Sequence, residues 1–194
     1  MSKAIRAIFF SVAMLCAVLS QAEPVKYAVD PVHSLVLYRI IHLGIAPSYG
    51  VFTGISGEVV FDPADLNACQ AKIQVDPLTL NSFHSGRDQH LKGPEFLNVD
   101  EHFSITFESK AWKAVPEKPN CYEVEGILNF LGVSKPITAE VVHGGFATGK
   151  NGEQKTGFEV TFSFKRSEFG MTAYLPDALS DEVRITVALE ANRK

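Results

Sequence analysis

Apolar and polar residues alternate with a period of two along most of this chain, which commits it to β-strands with one buried face and one wet face. The clearest run places Val183, Ile185, Val187 and Leu189 on one side against Arg184, Thr186, Ala188 and Glu190 on the other. The same period sets Phe158, Val160, Phe162 and Phe164 against Glu159, Thr161, Ser163 and Lys165, and Ile105 and Phe107 against Thr106 and Glu108. Further strands are predicted around 34–43, 51–61, 68–76, 121–130 and 137–145. Turn residues separate them: Asp62-Pro63, the stretch from Val115 to Asn120 with its two prolines, Gly144-Gly145, and Gly149-Lys150-Asn151-Gly152. About eight strands with short polar connections read as an all-β barrel or sandwich, and no parallel α/β arrangement fits.

Two segments depart from the simple alternation. Residues 82–100 have neither strand period nor low complexity; Ser85 is placed to cap a short helix through Leu91, with Gly93-Pro94 as its stop, and the segment is expected to lie across the barrel. The strand at 34–43 is apolar on both faces, with Val36, Tyr38 and Ile40 on one and Leu35, Leu37, Ile41 and Leu43 on the other. Its outer face needs a helix, a loop or a second subunit over it, and a homodimer through this region is the expectation.

The first 22 residues read as an export signal: Lys3 and Arg6, an apolar stretch from Ala7 to Leu19, and a small-x-small site at Ser20-Gln21-Ala22. The apolar stretch is shorter than the roughly 20 residues a permanent membrane helix needs, so residues 23–194 are expected as one soluble periplasmic domain and not an integral membrane protein. Cys16 follows Leu15, where a lipoprotein signal wants a small residue. The signal holds two of the 18 basic residues and none of the 22 acidic ones, which leaves a net charge of −6 on the rest. That sign argues against nucleic acid or an anionic membrane surface as the main partner. Beyond the signal stand Cys69 and Cys121. In an oxidising compartment they can form a disulfide, the other reading being two small buried apolar residues. With no CxxC and no Cys/His cluster, structural zinc and thioredoxin-like chemistry have no support.

No catalytic or metal site is indicated. The six histidines, His33, His42, His84, His90, His102 and His143, are scattered, without HxH or HExxH spacing. No GxSxG or comparable nucleophile signature is present, and adjacent His33 and Ser34 point to opposite faces of a strand. Asp30 and His33 flank Pro31 and read as turn residues. Arg87 and Asp88 read either as an ion pair anchoring the irregular segment or, for Arg87, as a two-point contact to an anionic head group. The aromatic content is more informative: 12 of the 14 phenylalanines lie beyond the signal, with Trp112 and five tyrosines, many on predicted inward faces. A barrel of this size can be filled by such side chains or can hold an apolar ligand, and the pattern alone leaves both open.

Six ordered blocks then carry a resemblance: DPVHSLVLYRIIHLGI (30–45), YGVFTGISGEVVFDP (49–63), RDQHLKGPEFLN (87–98), ITFES (105–109), GILNFLGVSKPI (126–137) and GFEVTFSFKRSEFG (157–170). Together they resemble the YceI-like family of bacterial periplasmic lipid-binding proteins, from about Tyr27 to Ala191. The resemblance implies an extended, lipocalin-like antiparallel β-barrel whose elongated pocket accommodates an isoprenoid lipid, polyprenyl or quinone-type, with no cofactor and no catalytic residues. Carried over block by block, Val36, Tyr38, Ile40 and His42 should point inward with Phe52, Val59 and Phe61; Ile73, Val75, Ile105, Phe107, Val124, Leu128, Phe130, Phe158, Val160, Phe162, Ile185 and Val187 extend the ligand-binding candidates, and Arg87 joins them through its head-group alternative. Two departures stand out. Asn129 replaces a threonine usual in the family, and Phe162 and Phe164 crowd a strand where smaller residues are common, which implies a shorter or closed cavity. The function implied is sequestration of the lipid by a carrier; a filled barrel acting as a stress-related or interaction protein, and an enzyme using His42 on a bound lipid, are the alternatives.

Overall fold

The computed structural model describes residues 24–194. The export signal expected at 1–22 lies outside them. Eleven strands form: β1 (Lys26–Val29), β2 (Leu35–His42), β3 (Ala46–Phe52), β4 (Ile55–Val60), β5 (Gln70–Val75), β6 (Leu80–Asn81), β7 (Ile105–Ala114), β8 (Cys121–Phe130), β9 (Val133–Thr148), β10 (Gln154–Lys165) and β11 (Glu182–Arg193). The single α-helix of the described residues is α1, Ser85–Lys92. All strand pairings are antiparallel, in the order β1-β4-β5-β7-β8-β9-β10-β11. The ring closes where β1 returns to β11 through Tyr27↔Arg193 and Val29↔Ala191, making an eight-stranded antiparallel barrel. Closure removes the exposed strand edges that an open sheet would present.

The N-terminal half of β11 has a different partner. There β2 takes over from β1, pairing Val36 with Val187 and Tyr38 with Ile185, and it carries β3 and β6 outward. The barrel is therefore closed by β1 at one end and splays into a β2–β3–β6 flap at the other.

The run at 51–61 is two strands, because the chain breaks at Thr53-Gly54; the Gly54 N–H donates to Thr79 Oγ1 at 2.9 Å and its carbonyl accepts from the Asp76 N–H at 2.8 Å. Gly144-Gly145 makes no turn. It forms a bulge inside β9, where the pairing with β10 shifts between Gly157 and Phe158 and Gly145 adopts a φ of +113°. The helix starts one residue earlier than expected: His84 is its cap, with Nδ1 accepting the Arg87 N–H at 3.2 Å, and Gly93 ends it. Cys69 and Cys121 are free thiols, so the disulfide reading is corrected. Cys69 is held in the 62–65 turn, where its Sγ accepts the Asp62 N–H at 3.3 Å and donates to carbonyl oxygens of that turn. Among the described residues no helix is long and apolar enough to cross a membrane.

Candidate functional site

Inward-facing residues divide between the two ends of the barrel. At the β1 end they fill the interior. Phe61, 1% exposed, is the centre of an aromatic cluster, with ring centroids 5.8 Å from Trp112, 5.6 Å from Tyr122, 5.1 Å from Phe158 and 4.7 Å from His143. Val59 and Val124 are buried beside it. Burial holds the His143 imidazole below the ordinary histidine range, and its Nε2 lies 3.0 Å from Thr156 Oγ1.

At the flap end the interior is hollow. A cavity of about 660 Å³ opens there, within the usual 300–1,000 Å³ span of small-molecule sites. From β2 it takes Val36, Tyr38, Ile40 and His42, with Phe52 from β3, and from β5 Ile73 and Val75. Ile105 and Phe107 of β7, Leu128 and Phe130 of β8, Phe162 of β10 and Ile185 of β11 complete the expected wall. His42 is exposed, at the mouth. Glycines make room for two of the rings: a side chain on Gly50 would meet Tyr38 Oη at 2.6 Å, and one on Gly126 would strike the Phe107 ring.

Six candidates point inward but do not reach this space. Val59, Phe61, Val124 and Phe158 are core at the filled end, and Val160 and Val187 pack against that core. Alternation gives the face of a strand and says nothing about depth along the barrel. Conversely, Phe164 and Val183 continue the parity of Phe162 and Ile185 into the cavity wall, a signal that was readable. Ala46, Pro47 and Ser48 of β3, Leu80 of β6, Thr106 of β7 and Leu91 of α1 also border it, while Phe96, Met171, Tyr174 and Arg166 come from segments outside the strands and α1, with no period.

Those segments cover the mouth. After α1 the chain tucks Phe96, Leu97 and Val99 inward. From the other side the 170–181 loop brings Tyr174, whose ring stacks on Phe96 at 5.9 Å and 9° and meets His90 edge-on at 6.0 Å. The loop is tied to β2 by Leu43 N–H to Ala178 O at 2.8 Å and Ser180 N–H to Ile41 O at 2.9 Å.

Arg87, on α1, reaches the cavity, and it does not pair with Asp88. Both converge on Ser82: Arg87 Nε donates to Ser82 Oγ at 2.9 Å, and the Asp88 carboxylate accepts the Ser82 N–H at 2.6 Å together with its hydroxyl. The Ser82 hydroxyl holds the Asp88 carboxyl below its ordinary range. Burial raises the Tyr38 hydroxyl, with Arg87 opposing and Asp88 adding to that shift.

Among the described residues the one grouping with metal-ligand character is Asp30, His33 and Glu190, none of which lines the cavity. Lys155 already sits among them, Nζ 3.3 Å from Asp30 and 2.8 Å from Glu190, so an ammonium supplies the positive charge. Asp30 also accepts the Val32 N–H at 3.0 Å and pairs with His33 at 2.9 Å, which is the expected turn role.

Comparison with known proteins bears on this architecture. The sequence model of the YceI-like domain matches residues 27–191. The chain belongs to the YceI-like family. Curated YceI-like relatives include the UPF0312 proteins of Azotobacter vinelandii, 31% identical with all of both chains covered, and of Ectopseudomonas mendocina, 31% identical over 90% of this chain and 91% of that one. The YCEI protein of Campylobacter jejuni superposes with a TM-score of 0.68 at 29% identity, covering 79% of this chain and 90% of that one. BcnA of Burkholderia cenocepacia has a TM-score of 0.75 at 24% identity over 84% and 99%. A polyisoprenoid binding domain from Saccharophagus degradans, implicated in plant cell wall breakdown, has 0.65 at 14% identity over 87% and 98%. The last two share the fold.

Proposed function

We propose that this protein is an exported carrier, acting in the periplasm, that sequesters an isoprenoid lipid, polyprenyl or quinone-type, in the hollow end of its barrel. The observation that carries the reading is the cavity itself: about 660 Å³, open at one end and walled mainly by aliphatic and phenyl side chains. A filled barrel would have no such space. Family membership and the polyisoprenoid-binding neighbour support the same reading. An apolar tail entering the cavity gains about 0.8 kcal/mol per CH₂ removed from water, so each isoprene unit contributes a few kcal/mol before ordering costs. Binding by burial requires no covalent step, and the reading is of a binding protein, with no reaction assigned to His42.

The test is mass spectrometry of an organic extract from protein purified out of a periplasmic fraction without detergent, beside a control barrel treated identically. A stoichiometric polyprenyl or quinone species is expected. An empty extract that stays empty after incubation with candidate lipids overturns the reading. The outer face of β2, where Leu35 is exposed, together with exposed Leu43 just beyond the strand, is the surface of the proposed homodimer, and a monomeric mass in solution at micromolar concentration removes that element.

A further inference from the structure

The permanently charged side chains on the cavity wall are both cationic, Arg87 and Arg166, and among the described residues no aspartate or glutamate lines it. This is a local inversion in a chain whose net charge is −4.

Arg166 is the less expected of the two arginines. It follows β10, is 1% exposed, and its guanidinium is fixed by three backbone carbonyls: Nε to Ser180 at 2.9 Å, Nη1 to Met171 at 3.1 Å and Nη2 to Leu179 at 3.4 Å. These bonds staple the 170–181 loop, and a neutral donor could make them equally well. A full charge, however, is costly to bury without a counter-charge. Among the described residues no carboxylate forms an ion pair with Arg166; the neighbouring Asp181 is instead bonded by the Ser167 N–H at 2.9 Å and hydroxyl at 2.7 Å. A guanidinium has five N–H donors and remains protonated at any physiological pH. Three are used here, which leaves one on each terminal nitrogen. Arg87 resembles it, with Nε and Nη2 turned to Ser82 and Nη1 uncommitted. The segments bearing the two arginines meet at the mouth, where Tyr174 lies against His90 and Phe96.

We propose that the cavity selects amphiphiles with an oxyanion head, a phosphate ester or a carboxylate, and that Arg166 and Arg87 are the cationic contacts for that head. This rests on the carrier reading and narrows it: the apolar wall accepts the tail, and the arginines discriminate against neutral prenols and quinones. The fork of a guanidinium matches two oxygens of either head.

The experiment is calorimetric titration of the delipidated full-length mature protein with three ligands that share one farnesyl chain: farnesol, farnesoic acid and farnesyl phosphate. The charged heads are expected to bind about ten- to hundredfold more tightly than the alcohol, the range for hydrogen bonds to ionised partners. The acid and phosphate arms then identify which oxyanion is preferred. Arg87→Gln and Arg166→Gln should each shrink the ratio of phosphate to alcohol affinity. Because Arg166→Gln can also loosen the 170–181 loop, Arg166→Lys, which keeps the charge, is expected to retain more of the ratio. Equal affinity for all three ligands overturns the inference while leaving the carrier reading intact. Absence of binding by any of them overturns both.

Discussion

Gly126→Ala turns the shape of the cavity wall into a measurable quantity. Gly126 is buried in β8, facing inward between Val124 and Leu128, and the Phe107 ring lies across it. Its backbone angles are ones any residue adopts, so alanine alone would stabilise by about 0.4–1 kcal/mol through the unfolded chain. Here the new methyl would strike two Phe107 ring carbons and lie 2.7 Å from the Glu108 carbonyl oxygen. The ring must retreat by roughly 1.2–1.6 Å to regain normal carbon separations of about 3.5–4.0 Å. Away from β8 the space open to it is the cavity that Phe107 lines. Overpacking of this kind costs about 1–3 kcal/mol, so the net effect should be destabilising despite the entropic gain. Each CH₂ of ligand displaced by the ring removes about 0.8 kcal/mol, roughly a fourfold weakening. Urea unfolding gives the first number and titration with a prenyl ligand the second. Adding Phe107→Leu should recover much of the stability and affinity, but not all, because the carbonyl contact persists. A single variant that is as stable as the parent or more so, with unchanged affinity, would refute the proposed stacking of Phe107 on Gly126.

Three further outcomes are expected. Burial lowers the folded-state pKa of His143, so the unfolded chain takes up its proton first as pH drops; stability from this residue is intact above the ordinary value of 6.5 and declines below it. In His143→Gln, the slope of unfolding free energy against pH just below 6.5 should flatten, whereas the decline from Asp30, held low by its bond to His33, belongs below the ordinary carboxylate range. Phe162→Ala should cost less than the 3–5 kcal/mol typical of a packed phenylalanine, because Phe162 borders open space, and should lengthen the longest prenyl chain accepted, read from a chain-length series. Tyr174→Ala removes the ring that bridges the mouth to Phe96 and His90; at about 0.5–1.5 kcal/mol for such contacts, ligand release in stopped-flow displacement should quicken roughly two- to twelvefold.

Alternation made the barrel legible because the face of a strand is a local property. It put Val36, Tyr38 and Ile40 on one face, the family resemblance implied that this face points inward, and β2 delivers all three to the cavity. Depth is not local. Phe61 and Phe130 give the same signal, yet one is the hub of the filled end and the other lines the hollow one, because each strand's position along the barrel is fixed by pairing with distant partners. β1 and β6, with four and two residues, are too short to display a period. Gly144-Gly145 has the composition of a turn, and only the continued pairing of β9 with β10 makes it a bulge. Arg166 stands in the block at 157–170, yet alternation does not single it out. Its significance arises when the 170–181 loop folds back over it.

The unequal filling of the two ends is also an energetic arrangement. A hollow lined with phenyl and aliphatic groups lacks the dispersion contacts that a packed interior supplies, and each side chain facing it contributes less to stability. The compensating contacts lie at the other end, where Phe61, Trp112, Tyr122, Phe158 and His143 interlock and the β1–β11 pairing seals the ring. Such a division lets wall residues vary with the ligand while the fold is held elsewhere. It also bears on how a lipid could enter: β2, β3 and β6 form a flap attached to the barrel through β11, while the 170–181 loop and the segment after α1 touch through a few rings. The loop itself is held by Arg166 and by its two hydrogen bonds to the β2 end, so the least costly local opening is at those rings, where few buried contacts oppose it. The rings can part without disturbing the aromatic cluster at the filled end.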